Sequence, residues 1–205
     1  MKFSFVMLLT LFSINLFAQP LADNIPILPT DISPLLIGES IPDMELKTPD
    51  GNAISILEKV AEKKSILIFY RGGWCPYCNN HLTELQTIEA DILNAGFQIL
   101  AISPDAPNQL QVSVDKQGLT YELLSDADMQ FSKAFGIAFQ AKPKSKDRLF
   151  RVSDGMNTGL LPVPSVFVVN RKGVILFEYI NPDYKQRMPA DMLMAVLETL
   201  STEEK

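Results

Sequence analysis

The sequence predicts an α/β domain in which helices cover both faces of a mixed sheet, giving a three-layer sandwich. The continuous apolar run 65–70 is typical of a strand buried on both faces, and a second buried strand is predicted over 97–103. Strand and helix patterns alternate as β-α-β-α-β-α and then close with β-β-α, which favours this architecture. Of the 205 residues, 47% are hydrophobic, so the chain can form a substantial core and is not expected to be disordered.

The domain is predicted to start with a β-hairpin and to span residues 41–205. Residues 44–48 and 53–56 flank Pro49-Asp50-Gly51-Asn52, whose composition is typical of a turn. A short helix is expected over 57–64, directly before the first apolar strand.

Residues 76–95 form the strongest helix pattern in the chain. Pro76 suits the first helical turn, where an absent N–H costs no hydrogen bond, and Gly96 is suited to ending the helix. The apolar residues that recur at helical spacing are Leu82, Leu85, Ile88 and Ile92. This spacing places Cys78 on the apolar face and leaves Cys75 outside it, so we expect Cys75 to be exposed and Cys78 to be shielded.

The second half of the domain continues the alternation. Strands are predicted over 97–103, 121–124, 165–170 and 174–180, and helices over 108–116 and 128–135. Arg171-Lys172-Gly173 predicts a tight turn between the last two strands. Apolar residues from Met192 to Leu200 recur at helical spacing and predict a C-terminal helix.

Residues 140–159 form an insertion that is basic in an otherwise acidic chain. Its positive residues are Lys142, Lys144, Lys146, Arg148 and Arg151. We expect a solvated, mobile loop, with a docking patch or a positive field beside a thiolate as the functional alternative.

Two segments precede the domain. Residues 1–18 have the pattern of a secretory signal peptide, with Lys2 before an apolar stretch and Ala18 suited to cleavage before residue 19. The apolar stretch is short for a membrane span, so an uncleaved anchor is the less favoured alternative. Residues 19–40 contain four prolines and predict an extended lead-in. We therefore expect an exported, periplasmic protein without stable membrane insertion after cleavage.

The net charge of −6 argues against nucleic acid as a partner. The chain has two cysteines and one histidine, whereas structural zinc usually takes four such ligands, so a zinc site is disfavoured. We expect no metal and no cofactor.

The two cysteines, Cys75 and Cys78, form a Cys-x-x-Cys motif between a predicted strand and a predicted helix. A helix start stabilises a thiolate, so this arrangement favours cycling between dithiol and disulfide. A purely structural disulfide is disfavoured because so short a loop gains little from closure. The flanking residues Trp74, Pro76 and Tyr77 are expected to line the rim where substrate binds. In an oxidising compartment, such a pair needs a redox partner protein as electron donor or acceptor.

With these residues placed, the chain resembles the thioredoxin superfamily over almost its whole mature length. Within it, the chain is most similar to peroxiredoxin-like proteins of the alkyl hydroperoxide reductase/thiol-specific antioxidant (AhpC/TSA) family. The segments that carry the resemblance are residues 38–43 and 49–51, 69–78, 124–126, 135–136 and 181–184. The resemblance implies a thioredoxin-like α/β/α sandwich with an N-terminal β-hairpin.

The resemblance also implies details of the site. Pro164 falls where thioredoxin-like folds keep a cis-proline, which would let the backbone of Val163 pair with substrate. Typical peroxiredoxins have a threonine where this chain has Gly72, and an arginine where it has Pro164. Arg71 is the candidate that could replace the missing arginine, provided that its side chain faces the site.

Three functions compete on this basis. The favoured hypothesis is a thiol–disulfide oxidoreductase in which the Cys75 thiolate attacks a disulfide and Cys78 resolves the mixed disulfide. The alternative is a thiol-dependent peroxidase with an antioxidant role, in which Cys75 attacks peroxide. A less favoured alternative is a Cu(I) chaperone that uses both thiolates and His81, although a solvated helix residue is the simpler interpretation of His81.

Overall fold

The computed structural model describes residues 25–202. The predicted signal peptide, residues 1–18, lies outside the described residues, as does the start of the lead-in. In the described part, no helix is long and apolar enough to cross a membrane.

A seven-stranded mixed sheet forms the centre of the domain, with the strand order β2-β1-β5-β4-β3-β8-β9. A separate two-stranded sheet pairs β6 with β7. The strands are β1 (Glu45–Lys47), β2 (Ala53–Ser55), β3 (Lys64–Phe69), β4 (Phe97–Ser103), β5 (Glu122–Ser125), β6 (Ala138–Gln140), β7 (Leu160–Pro162), β8 (Ser165–Val169) and β9 (Ile175–Ile180). The predicted α/β class with a mixed sheet and an N-terminal hairpin is confirmed.

Seven helices accompany these strands in the described residues. They are α1 (Ile56–Glu62), α2 (Pro76–Thr87), α3 (Glu89–Asn94), α4 (Pro107–Gln117), α5 (Gln130–Ala134), α6 (Pro143–Val152) and α7 (Ala190–Thr202). The predicted helix over 76–95 is two helices, because Ile88 leaves the helical conformation (φ −112°, ψ 7°) and its N–H bonds back to Leu85. Apolar periodicity continues across the break, so spacing alone does not reveal it.

Strand β3 is the central element and carries the chain to the cysteines. It pairs in parallel with β4 and antiparallel with β8, so both of its edges are satisfied. Its side chains alternate between two buried clusters: Ile66 and Ile68 face one cluster, and Leu67 and Phe69 face the other. The cluster that contains Ile66 also contains both cysteines, so the redox pair is built into the core.

The prediction of a solvated loop over 140–159 is wrong. Residues Pro143–Val152 form α6, which begins with a proline in its first turn, and β6 and β7 flank it as a small sheet. Leu149 is buried against Ala141 and Leu161, while the basic residues stay outside. Leu149 is the one buried residue of α6, and its apolar residues are clustered near the C-terminal end, so the segment shows no repeated apolar spacing along its length.

Residues 25–40 run along the surface of the domain as an extended segment. Backbone hydrogen bonds tie Ser33 to Gly136, Leu35 to Phe135, and Gly38 to Ile175 at 2.9–3.2 Å. Ile32 and Leu35 also pack against the core cluster on that face of the sheet. This segment, which we call the N-terminal strap, therefore contacts parts of the chain that are distant in sequence.

Candidate active site

The two cysteines lie at the start of α2, after the loop that joins β3 to this helix. Cys75 is the residue that precedes the helix, with extended backbone angles, and Pro76 is the first helical residue. The N–H of Cys78 donates to the carbonyl of Cys75 at 3.0 Å, which closes the first turn around the pair. Both cysteines are free thiols.

Cys75 is not exposed, contrary to the sequence prediction. Only 1% of its surface is accessible, and Cys78 is fully buried. Helical periodicity shows which face of α2 points inward, but it does not show what covers the start of the helix. Here the chain around Cys75 folds inward, with Gly72 buried and Trp74 partly buried against the core.

Electrostatics make the two sulfurs unequal. A hydrogen bond from the Cys78 thiol is the main cause that lowers the pKa of Cys75 to about 6. The charges of Arg71 and Arg187 lower it further, whereas burial opposes them. Burial raises the pKa of Cys78, and the proximity of Cys75 adds to that effect. At neutral pH, Cys75 is therefore the thiolate and Cys78 the thiol, as an attacking and a resolving cysteine require.

Arg187 is the functional candidate that sequence reasoning missed. It lies between β9 and α7, and its Nη2 donates to the Cys78 sulfur at 3.4 Å. Hydrogen bonds from its Nη1 to the carbonyls of Tyr184 and Gln186 fix the guanidinium. In the sequence, the available signal for Arg187 was its position three residues after Tyr184, in the region that resembles the AhpC/TSA family. Only the folded chain shows that this segment reaches α2.

Arg71 does face the site, as the sequence hypothesis required. Its guanidinium carbon lies 4.1 Å from the centroid of the Tyr184 ring and 5.1 Å from that of Trp74. Tyr77 packs edge-on against Tyr184 with their centroids 5.7 Å apart. Trp74, Tyr77 and Tyr184 thus form an aromatic rim beside the cysteines, and both tyrosines are exposed. The rim includes two of the residues that the sequence placed there.

The atoms around Gly72 leave no room for the threonine side chain that typical peroxiredoxins have at this position. Its φ is +126°, and a Cβ would lie 2.5 Å from Trp74 Nε1 and 2.7 Å from Asp105 Oδ1. The other carboxylate oxygen of Asp105 accepts a 2.6 Å hydrogen bond from the N–H of Gly73. Burial raises the pKa of Asp105 to about 6. The indole and this carboxylate therefore occupy the space of the missing side chain.

The predicted cis bond at Val163–Pro164 is wrong, since no peptide bond in the described residues is cis. Val163 is also fully buried, and its backbone is already used within the protein. Its N–H donates to Ile137 at 2.9 Å, and its carbonyl accepts from the Ser165 hydroxyl at 2.8 Å. Ile137, directly before β6, thus takes up the Val163 N–H with which the substrate backbone was expected to pair.

The expectation that His81 is solvated is also wrong. His81 is buried on the same side of α2 as Cys78, and burial lowers its pKa to about 4, so it is neutral at physiological pH. Among residues 25–202, no three His, Cys, Asp or Glu side chains converge in a way that could hold a metal ion. This finding does not favour the Cu(I) hypothesis.

Cavity volume does not identify the site. A cavity of about 450 Å³ lies between the β1–β2 turn and the start of α4, and neither cysteine lines it. A cavity of about 170 Å³ lies behind the cysteine loop, where Trp74 and Asp105 line it. Among the described residues, the cysteine pair combines a nucleophile with the charges of Arg71 and Arg187 that activate it, which makes it the candidate site.

The fold and the unequal cysteine pair define a thiol-dependent oxidoreductase built on a thioredoxin-like sandwich. The AhpC/TSA family pattern matches residues 37–177, and the chain belongs to this family. A putative peroxiredoxin of Mycobacterium tuberculosis (Rv2521) is 33% identical over 152 residues, which cover 74% of this chain and 89% of that protein. Peroxiredoxin Bcp of Escherichia coli is 25% identical over 165 residues, covering 80% and 96%.

Solved structures show the same fold. Reduced Prx3 from Vibrio vulnificus, in complex with hydrogen peroxide, superposes with a TM-score of 0.70 at 19% identity, covering 82% of this chain and 99% of that one. Peroxiredoxin Q from Xanthomonas campestris gives a TM-score of 0.63 at 20% identity, covering 78% and 92%. The thioredoxin-like architecture implied by the sequence is confirmed.

Replacement of Arg187 tests the electrostatic account of Cys75. Thiolate absorbance, with Cys75→Ser as the blank, should rise with pH through about 6 in the native protein. Arg187→Gln should move this midpoint upward, because a nearby positive charge no longer stabilises the thiolate. At pH 6, alkylation of Cys75 by iodoacetamide should be about two- to fivefold slower. Arg171→Gln, which removes an exposed arginine bonded to Ala61, is the matched control and should leave the midpoint unchanged.

Replacement of Gly72 tests the steric account of the missing threonine. Gly72→Ala should destabilise the protein by about 2–3 kcal/mol more than Gly51→Ala in urea unfolding. Both glycines have positive φ, but a Cβ at Gly51 meets no atom within 4 Å, so that variant carries only backbone strain of about 1 kcal/mol. Equal costs at the two positions would contradict the proposed clash with Trp74 and Asp105.

Proposed function

We propose that this thiol-dependent oxidoreductase reduces hydroperoxides, with Cys75 as the attacking thiolate and Cys78 as the resolving thiol. The observation that carries the proposal is the burial of Cys75, which is 1% accessible although its pKa is about 6. A thiolate enclosed in this way suits a small oxidant better than the disulfide of a large protein. Peroxiredoxins among the relatives of this chain support the same choice.

The reaction takes place in two steps at the two sulfurs. The Cys75 thiolate attacks the terminal oxygen of ROOH, the O–O bond breaks, and RO⁻ leaves and takes up a proton to become ROH. Cys75 becomes a sulfenic acid. The Cys78 sulfur then attacks the Cys75 sulfur, an S–S bond forms, and the sulfenic oxygen leaves as water with the thiol proton. One peroxide is reduced for each pair of thiols oxidised.

Arg71 and Arg187 provide the positive charge that this reaction needs. Both stabilise the Cys75 thiolate, and Arg187 also lies 3.4 Å from the Cys78 sulfur, where it stabilises the negative charge on the resolving sulfur. A positive charge beside the sulfur also stabilises the leaving oxygen while the O–O bond breaks. In this proposal, the two side chains replace the arginine that is absent at Pro164.

Disulfide exchange is the second candidate, and Gly72 favours it. No hydroxyl is present there to hold a peroxide oxygen, and Trp74 and Asp105 leave no room for one. The same sulfurs would carry out the exchange: Cys75 would displace one thiolate from a substrate disulfide, and Cys78 would displace the second. Both candidates leave a Cys75–Cys78 disulfide, which a thioredoxin-like dithiol protein would reduce.

We also propose that the protein is exported through cleavage after Ala18. The apolar stretch within residues 1–18 supports this proposal. In a Gram-negative host that expresses the full chain, the mature protein should appear in the periplasmic fraction with Gln19 at its N-terminus. Retention in the cytoplasm with residues 1–18 intact would overturn the proposal.

Stopped-flow fluorescence separates the two candidate functions. Trp74 is the only tryptophan and adjoins Cys75, so oxidation of the reduced protein should change its emission. With hydrogen peroxide, oxidation should be about three orders of magnitude faster than that of a free thiol, equal to about 4 kcal/mol of barrier. Cys75→Ser should abolish the change, whereas Cys78→Ser should still give one sulfenic acid per chain. Oxidation at the rate of a free thiol, together with rapid oxidation by small disulfides, would instead establish disulfide exchange.

A further inference from the structure

One peptide group in the loop between β3 and α2 joins a buried carboxylate to the nucleophile. Its N–H, on Gly73, donates to Asp105 Oδ2 at 2.6 Å. Its carbonyl, on Gly72, accepts from the N–H of Cys75 at 3.1 Å. A peptide group is planar, so fixing its N–H also fixes its carbonyl. Asp105 therefore holds the backbone of Cys75 through a single rigid group.

The next peptide group of the same loop is held by neutral side chains. The carbonyl of Gly73 accepts from Asn79 Nδ2 of α2 at 2.9 Å, and Asn79 Oδ1 accepts from Gln117 Nε2 of α4 at 3.3 Å. Gly73 also packs directly against α4, because a Cβ at this position would collide with Ser113 Oγ. The loop is thus docked against α4, and the bond to Asp105 is the contact in this set that carries a charge.

Burial makes a carboxylate costly at position 105. Only 2% of the surface of Asp105 is accessible, and its Oδ1 has no hydrogen-bond partner. Burial raises the pKa of Asp105 to about 6, and the hydrogen bond from the Gly73 N–H is the main effect that opposes this rise. At neutral pH the carboxylate is charged, and hydrogen bonds to a charged group are roughly twice as strong as neutral ones. The buried charge is therefore used chiefly on the loop that carries Cys75.

The ionisable groups around Asp105 do not explain this arrangement. Those on the neighbouring elements are Tyr70, Arg71, Lys116 and Arg148. None of them is among the causes that shift the pKa of Asp105. Asp105, in turn, is not among the causes that shift the pKa of Cys75. The influence of Asp105 on the nucleophile therefore passes through the peptide group.

We propose that Asp105 is a positioning residue, whose carboxylate holds the loop so that the Cys75 sulfur stays against the Cys78 thiol and near the charge of Arg71. The bond from the Cys78 thiol is the main cause that stabilises the Cys75 thiolate, so a loop that shifts loses this activation. The inference rests on the proposed role of Cys75 as the attacking sulfur, and it applies to either oxidant, a peroxide or a disulfide. The steps at the two sulfurs remain those given above.

The variant Asp105→Asn tests the proposal, because the amide keeps the shape of the side chain and removes its charge. The rate of oxidation by hydrogen peroxide, divided by the thiolate fraction from absorbance, should be about fivefold lower than in the native protein at about pH 8. Near about pH 5 the difference should shrink to less than about 1.5-fold, since Asp105 of the native protein is then protonated as well. Equal rates at about pH 8, or a difference that does not change with pH, would overturn the proposal.

Asp126→Asn is the matched control. Asp126 is as deeply buried as Asp105, and burial raises its pKa to about 7, but its oxygens accept from the N–H groups of Phe131 and Ser132 at the start of α5. Its replacement should leave the rate per thiolate within about 1.5-fold of the native value. Asp115→Asn, which removes an exposed charge from α4, should do the same. If either control reproduces the effect of Asp105→Asn, the effect comes from charge in general, and the positioning role is overturned.

The Gly73 amide gives a second test that requires no variant at position 105. In ¹H–¹⁵N spectra of the reduced protein, its proton resonance should move with a midpoint near pH 6, where the partner carboxylate is protonated. The same midpoint in Cys75→Ser would assign the titration to Asp105 and not to the thiolate. A Gly73 resonance that does not move between about pH 5 and about pH 8 would overturn the proposal. Oxidation by peroxide at the rate of a free thiol would instead refute the peroxidase function and leave this titration unchanged, so the two failures are distinguishable.

Discussion

The structure depends on keeping a negative sulfur inside the core. Removing an ion from water costs several kcal/mol, so the Cys75 thiolate exists only because other groups offset that cost. The Cys78 thiol donates a hydrogen bond, and Arg71 and Arg187 provide positive charge from two distant parts of the chain. Strand β3, the start of α2 and the segment before α7 therefore have to meet at one point. The mixed sheet positions these three elements together.

Much of the fold could be predicted because its signals are local and repeated. The apolar runs of β3 and β4 and the turn after β8 appear directly in the sequence, and the structure has them within a few residues. The break at Ile88 and helix α6 could not be predicted, since one depends on a single backbone conformation and the other on burial of Leu149 by distant residues. Apolar periodicity predicts which side chains share one face of a helix or strand, but it does not predict which other segments cover that face.

The same distinction applies to the site. The cysteine pair and its aromatic neighbours are adjacent in sequence, so a short motif reveals them. The exposure of Cys75, the partners of Val163 and the place of Arg187 are set by contacts between distant segments. Gly72 shows the limit most clearly. Its difference from the family pattern indicates a missing hydroxyl, whereas the structure shows that Trp74 and Asp105 have taken the space of that side chain.

The N-terminal strap has a consequence for the order in which the chain folds. Its backbone bonds to Phe135, Gly136 and Ile175, which are about a hundred residues or more further along the chain. Contacts across such separations form late, because the intervening chain must first be ordered. The strap leaves the ribosome before the domain and is therefore among the last segments to attach. Until then, the apolar surface around Phe135 that Ile32 and Leu35 cover stays open to water and to other chains.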